Sequence, residues 1–318
     1  MKTVKFLSPS SIGAWQKDRE EYYLRYLADK APPKIPQTQP MSIGSAFDAY
    51  AKSYLVERLI GKKPEFEFDT IFTQQVEPLN RDWARIHGKY AFEAYRECGA
   101  LTDLLLELDK AALPPRFEFS VEGVVDNVPL LGKPDIYYVT KNDSHIIVDW
   151  KVNGYCSKNG VTPKPGYVKI YSKGEKEHGR THRDAHVMMV QNVEINVAST
   201  LDQVDDEWAR QLTIYAWLLG EPIGGRFITC IEQLACAPNG AYPKIRVASH
   251  RCRVNKDYQT NLLATIVKMW TAIQNNHIFE DLSLEASQER GRALDTQHIA
   301  FEGTEDKDLW FRKMQRGS

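Results

Sequence analysis

Cysteine is scarce: the 318 residues hold five (Cys98, Cys156, Cys230, Cys236 and Cys252), an odd number with no Cys-x-x-Cys pair. Such scattered thiols exclude a disulfide framework and a zinc ribbon. No apolar run approaches the roughly 18 residues that a membrane span requires. Polar Ser8-Pro9-Ser10-Ser11 interrupts the first segment before a secretory core could form, so a soluble, cytoplasmic protein is expected. Charge of one sign is also missing, since 41 basic and 42 acidic side chains leave a formal net charge of -1. This excludes a generally basic nucleic-acid coat, although a local basic groove remains open. The chain has no Walker A Gly-x-x-x-x-Gly-Lys-Ser/Thr, so no nucleotide-driven motor is expected on it. Repeats and low-complexity tracts are absent, and the composition excludes disordered, collagen-like and coiled-coil classes.

What is present is ample apolar content, 42% of residues, in a chain long enough for about two average domains or one large domain with insertions. Ser8-Pro9-Ser10-Ser11 reads as a helix start, and Ile12, Trp15, Tyr22, Tyr23, Tyr26 and Leu27 fall roughly on one side of the helix that follows. Ala31-Pro32-Pro33-Lys34-Ile35-Pro36 ends it. Helical patterns continue from about Ser42 to Leu59, where Gly61 supplies a stop, and from about Asp69 to Lys110. Beyond Leu113-Pro114-Pro115 the period falls to 2: Phe117, Phe119 and Val121 alternate with Glu118, Ser120 and Glu122. Leu130 to Val139 and Ile146 to Trp150 read as further strands. A polar, glycine-bearing stretch over about 152–206 reads as an insertion with short strands near Val187 to Ala198. A helix from about Asp205 to Leu219, strands over Arg226–Leu234 and Ile245–Arg253, and a helix over Lys256–Gln274 complete the pattern. The expected organisation is a helical region over 1–112, an α/β core over 113–281 with its last helix near 256–276, and a polar tail over 282–318.

The most informative residues are Gly132-Lys133-Pro134-Asp135 and Ile146-Ile147-Val148-Asp149-Trp150-Lys151. Two adjacent strands would bring Asp135 and Asp149 to neighbouring ends, a hard-oxygen pair suited to Mg²⁺ or Mn²⁺. Lys151 lies two residues beyond Asp149 and so points to the same face. An ammonium there can orient an attacking water and stabilise charge on a phosphate. The bland alternative is a solvated ion pair at a strand end, as expected for the decoy Glu305-Asp306-Lys307 in the tail.

These residues resemble the RecB-like branch of the PD-(D/E)xK nucleases. That resemblance implies a restriction-endonuclease-like α/β fold, a mixed central sheet flanked by helices, here with a helical N-terminal region and a long insertion. Leu7 to Leu27 resembles the family's opening helix. Ile43-Gly44-Ser45-Ala46-Phe47-Asp48 resembles its Gly-x-x-x-His/Asp motif. Gly132 to Asp135 and Val148 to Lys151 resemble its catalytic strands, and Gln211-Leu212-Thr213-Ile214-Tyr215 resembles its Gln-x-x-x-Tyr helix. The resemblance implies Asp48, Asp135, Asp149 and the Trp150 backbone carbonyl as metal ligands, with Glu118 or Glu122 as a further candidate. Gln211 and Tyr215 would position the strand or Lys151. It implies a Mg²⁺- or Mn²⁺-dependent deoxyribonuclease, most readily an exonuclease of recombination, repair or phage DNA metabolism. DNA would be its substrate and a recombination protein a partner, in a bacterial or phage-infected cell. An inactive DNA-binding scaffold and a restriction-type endonuclease are the alternatives.

Two departures matter. Most relatives carry His where this chain has Asp48. Some relatives hold a [4Fe–4S] cluster, but Asp18 occupies approximately the position of its first Cys, and Cys230, Cys236 and Cys252 lack the compact spacing. No iron–sulfur cluster is therefore expected. Gly44 would allow another backbone to approach closely. In the insertion, Lys169, Lys173, Arg180 and Arg183 interleave with Tyr167 and Tyr171, a pattern suited to phosphate contacts and base stacking, or simply to a solvated loop. His178, His182 and His186 would align as zinc ligands on a helix, which Gly179 opposes.

Overall fold

The computed structural model describes residues 2–30, 33, 36–155, 169–172, 186–190, 193–197, 206–225, 227–237 and 242–279. Ser8 opens helix α1 (Pro9–Lys17) with a reciprocal capping box. Its side chain accepts from the Ser11 amide, and the Ser11 hydroxyl accepts from the Ser8 amide. The expected single opening helix is broken at Asp18. Its extended backbone (φ -157°, ψ 112°) ends α1, and its carboxylate caps α2 (Arg19–Tyr22) by accepting from the Glu20 and Glu21 amides. A π-helical turn, Tyr23–Leu27, follows.

Helix α3 (Gln39–Leu59) begins earlier than the sequence pattern suggests, with Pro40 in its first turn. The helical stretch beyond it divides into α4 (Phe68–Gln75), α5 (Arg81–Glu97) and α6 (Ala100–Asp109). Gly99, at φ 91°, supplies the left-handed turn between the last two. Helices α3 and α5 approach closely at Gly88, where a Cβ would lie 2.4 Å from the Ala46 Cβ.

The strands are β1 (Arg116–Phe117), β2 (Val121–Val125), β3 (Val128–Gly132), β4 (Ile136–Val139), β5 (His145–Asn153), β6 (Lys169–Ser172), β7 (His186–Val190) and β8 (Val193–Val197). Helix α7 (Asp206–Leu218), β9 (Ile228–Ala237), β10 (Lys244–Cys252) and α8 (Lys256–Gln274) follow. Among the described residues, six strands form one mixed sheet in the order β1-β4-β5-β9-β10-β6, antiparallel except for the β5–β9 pair. Strands β2 and β3 form a separate hairpin, as do β7 and β8 within the insertion.

Two strand expectations are corrected. The alternation from Phe117 to Glu122 is interrupted because Glu118 takes a left-handed backbone (φ 35°), so β1 and β2 belong to different sheets. The run Leu130–Val139 splits at Lys133-Pro134-Asp135, where Pro134 has no amide to offer a ladder. The insertion contributes an edge strand to the main sheet, which its irregular sequence does not announce.

Alternation along β5 assigns its two faces. Ile146, Val148 and Trp150 join the core formed with Phe47, Leu55, Tyr95 and Leu104 of α3, α5 and α6. Burying each such side chain contributes about 1.5–3 kcal/mol. Asp149 and Lys151 take the opposite alternation and meet α7. The chain divides into two units, Met1–Val267 and Lys268–Ser318, and every site residue described below belongs to the first. Among the described residues, no helix is long and apolar enough to cross a membrane. The expected tail over 282–318 lies outside the described residues.

Candidate active site

Packing of the sheet on α3 fixes the first carboxylate. Phe47 is fully buried, edge-on to Tyr95 at 5.6 Å and to Trp150 at 6.1 Å. With Phe47 so anchored, the next residue, Asp48, is carried to the rim of a cleft. Asp135 reaches the same cleft from the residue preceding β4. Pairing of Ile136 with Val148 brings it beside β5, where its Oδ2 accepts from the Trp150 amide at 3.1 Å. Asp149, with its side chain 5% exposed, comes from the middle of β5 and forms an ion pair with Lys151.

Helix α7 orders this pair. Gln211 donates through Nε2 to Asp149 Oδ1 at 2.9 Å and accepts through Oε1 from Lys151 Nζ at 3.0 Å. The same amide lies 3.1 Å from the Tyr215 hydroxyl, one turn further on. Close approach of α7 depends on Gly132, where a Cβ would lie 2.7 Å from Tyr215 Cδ1.

The residues that sequence reasoning missed are Lys52 and Gln75. Lys52 Nζ donates to Asp48 Oδ2 at 2.8 Å, Glu118 Oε2 at 2.9 Å and Asp135 Oδ1 at 3.0 Å. Gln75 Nε2 donates to Asp48 Oδ2 at 3.0 Å and to Glu118 Oε1 at 3.1 Å. Lys133 is paired with Glu118. The i,i+4 spacing of Asp48 and Lys52 is a readable signal of an intrahelical ion pair, but Gln75 carries none.

Burial and Asp135 push the Asp48 carboxyl up to about 7, against the opposing pull of Lys52. Burial and Asp135 likewise push Asp149 up to about 7, against Lys151. Burial alone would lower Lys52, yet Asp135, Asp48 and Glu118 together hold it well above the usual lysine range. Lys151 is also raised: burial opposes its charge, but Asp149 outweighs it. Both lysines are therefore charged at neutral pH. Burial and Asp149 push the Tyr215 phenol up to about 12, so it stays protonated.

The sequence left Glu118 and Glu122 as alternatives on one strand face. Glu118 enters the cluster through its left-handed turn, whereas Glu122 is exposed on β2, opposite Leu131. A Cβ at Gly44 would meet nothing within 4 Å, so Gly44 borders open cleft and does not serve a close backbone contact. Asp18, considered above as a cluster position, is a helix cap. Lys169 lies on β6, of which only the backbone is described. Lys173, Arg180, Arg183, His178 and His182 lie outside the described residues, and His186 opens a strand rather than extending a helix.

Asp48, Asp135, Asp149, Lys151 and Gln211 border a cleft of about 320 Å³. A second cleft of about 650 Å³ shares Lys133, Lys151 and Gln211 with it and adds Lys17, Arg25 and Arg210. Gly13 makes room for Arg210, whose Nη2 would sit 2.8 Å from a Cβ there.

Among the described residues, no three or more His, Cys, Asp or Glu side chains gather to hold a metal ion. The three carboxylates that do converge, converge on Lys52. Asp48 Oδ1 is nevertheless buried without a hydrogen bond, Asp149 Oδ2 faces only the Lys151 ammonium, and both residues border the smaller cleft. Hard oxygens from one or two carboxylates, completed by water and phosphate oxygens, are what Mg²⁺ takes. The donor set therefore fits such a cation.

No family model and no curated protein matches the chain. Among solved structures, it is similar to one named "Putative exonuclease" from Eubacterium rectale at 12% identity, covering 91% of this chain and 93% of that one, with a TM-score of 0.43. It is also similar to SSO0001 at 12% identity, covering 81% and 84%, with a TM-score of 0.25.

Proposed function

We propose that this chain is a divalent-cation-dependent nuclease that hydrolyses phosphodiester bonds in DNA, acting from strand ends in the manner of RecB-like exonucleases. The observation that carries the reading is Lys151, held between Asp149 and Gln211 at the junction of an acidic cleft and a larger cation-bordered one. Motif resemblance in the sequence supports the same assignment.

Asp48 and Asp149, with Asp135 and the Trp150 carbonyl nearby, would hold Mg²⁺ or Mn²⁺. Bound there, the cation would supply positive charge to the attacked phosphate and to the leaving oxygen. Lys151, charged at neutral pH, acts as a donor and a fixed cation rather than as a base. It orients water for in-line attack and stabilises charge on the non-bridging oxygens. Gln211 sets the position of that ammonium, and Tyr215 holds the amide of Gln211. Lys17, Arg25, Lys133 and Arg210 suit the larger cleft to the phosphates of the incoming strand.

End-labelled linear and circular DNA, single- and double-stranded, incubated in Mg²⁺, Mn²⁺ or EDTA beside Lys151→Ala and Asp149→Ala, tests this reading. Metal-dependent loss of linear DNA that vanishes in both variants is expected. DNA binding without cutting on any substrate would replace the enzyme by an inactive scaffold, and cutting of circles would replace the exonuclease by an endonuclease.

A further inference from the structure

The acidic cluster contains an ammonium at its centre. Lys52 projects from α3 one turn beyond Asp48, its side chain is 2% exposed, and three carboxylates from three separate segments lie 2.8–3.0 Å from Nζ. Its three hydrogens match its three acceptors, so the group is fully satisfied as a cation. Lys52 and Glu118 do not border the cleft that Asp48, Asp135 and Asp149 line, which places the ammonium behind the cleft and away from its mouth.

Counting the oxygens shows what remains for a metal. Both oxygens of Glu118 are engaged, by Lys52, Lys133 and Gln75. Asp135 gives one oxygen to Lys52 and the other to the Trp150 amide. Asp48 Oδ2 is shared between Lys52 and Gln75. Asp48 Oδ1 has no hydrogen bond, and Asp149 Oδ2 has only the Lys151 ammonium as its partner. The charge count agrees: Asp48, Glu118, Asp135 and Asp149 stand against Lys52, Lys133 and Lys151, and one divalent ion more than offsets the remaining deficit.

We infer that Lys52 is a built-in cation filling the position that a second metal ion would otherwise take, so that this site binds one divalent ion per chain. The inference rests on the metal-dependent reading above and specifies its stoichiometry. Lys52 does not reach the cleft and touches no substrate. It is a positioning residue that holds Asp48, Glu118 and Asp135 in a fixed fan before any metal arrives.

Mn²⁺ binding to the full chain, counted by titration calorimetry and by the free-ion electron paramagnetic resonance signal, tests the inference without an activity assay. Wild type is expected to bind one Mn²⁺, and Lys52→Met, which keeps the length of the side chain and removes its charge, two. Lys52→Arg retains a cation and is expected to bind no more than one. Metal-free Lys52→Met should melt below wild type and gain more from saturating Mn²⁺, because its carboxylates lack their counter-charge. Two Mn²⁺ on the wild type, or one on a folded Lys52→Met, would overturn the single-ion inference and leave the metal-dependent reading standing. No Mn²⁺ on the wild type would overturn both. The wild-type count decides the matter even if Lys52→Met fails to fold.

Discussion

The Gln211 carboxamide accepts from the Lys151 ammonium at 3.0 Å, tying a strand residue to a helix 60 positions later in the chain. The same amide binds Asp149, so one side chain fixes both members of an ion pair.

Gln211→Ala should therefore disturb catalysis without disturbing the fold. Removing a group that orients a ligand or catalytic side chain typically costs roughly 10- to 100-fold in activity. A drop of that size in single-turnover cleavage, with an unchanged melting temperature, is expected. Wild-type rates would show that Lys151 is held by its other contacts.

The raised carboxyls have a consequence for stability in the absence of metal. Asp48 and Asp149 bind protons more tightly folded than unfolded, with folded values of about 7 against ordinary values of 3.8. Stability in EDTA is thus highest near pH 4 with respect to these groups and falls as pH rises to about 7, since the unfolded chain binds fewer protons there. Asp149→Asn should flatten this slope, as should saturating Mg²⁺. Melting curves in EDTA at pH 5, 6 and 7 would refute the assignment if the variant and wild type ran parallel.

Gly132→Ala places a Cβ against Tyr215 and Leu218, at 2.7 Å and 2.9 Å from their nearest carbons. Overpacking of this kind costs about 1–3 kcal/mol. Because α7 must shift to relieve it, cleavage should fall together with the urea midpoint. A neutral effect on both would show that α7 yields freely.

A buried pair on the far side of the sheet governs stability alone. Arg251 donates to Glu107 Oε1 at 2.6 Å and to Oε2 at 2.8 Å, with both side chains under 10% exposed, and Tyr138 also donates to Glu107. Glu107→Ala leaves the guanidinium without its main counter-charge and should cost about 3–5 kcal/mol. Glu107→Leu with Arg251→Met and Glu232→Gln, which removes every charge of this buried cluster, should cost much less than the single change. Equal losses in urea titrations would contradict this account.

The site was legible where its chemistry is local. Asp149 and Lys151 lie on one strand at a period of 2, and Gln211 and Tyr215 on one helix at a spacing of 4, so their shared faces follow from backbone geometry. The helical N-terminal region and the individual core strands and helices were legible for the same reason, whereas the mixed sheet was an expectation from the family resemblance. Lys52 and Gln75 were not, because their partners arrive from segments up to 83 residues away and neither type is distinctive in a helix. The choice between Glu118 and Glu122 turned on one left-handed residue, a conformation that glutamate rarely announces. Gly44 misled because a glycine spaced from an acid fits an open cleft as readily as a close backbone contact.

Strand β10 has neighbours on both flanks, β9 from the core and β6 from the insertion. The segment between β5 and α7 is thus also a selvedge that finishes the sheet through β6. Cut from the chain and replaced by a short turn, it would leave a row of β10 amides and carbonyls bare over Arg246–Ser249. Bare edges recruit foreign strands, and the trimmed protein should self-associate in light scattering even where its acidic cleft survives intact.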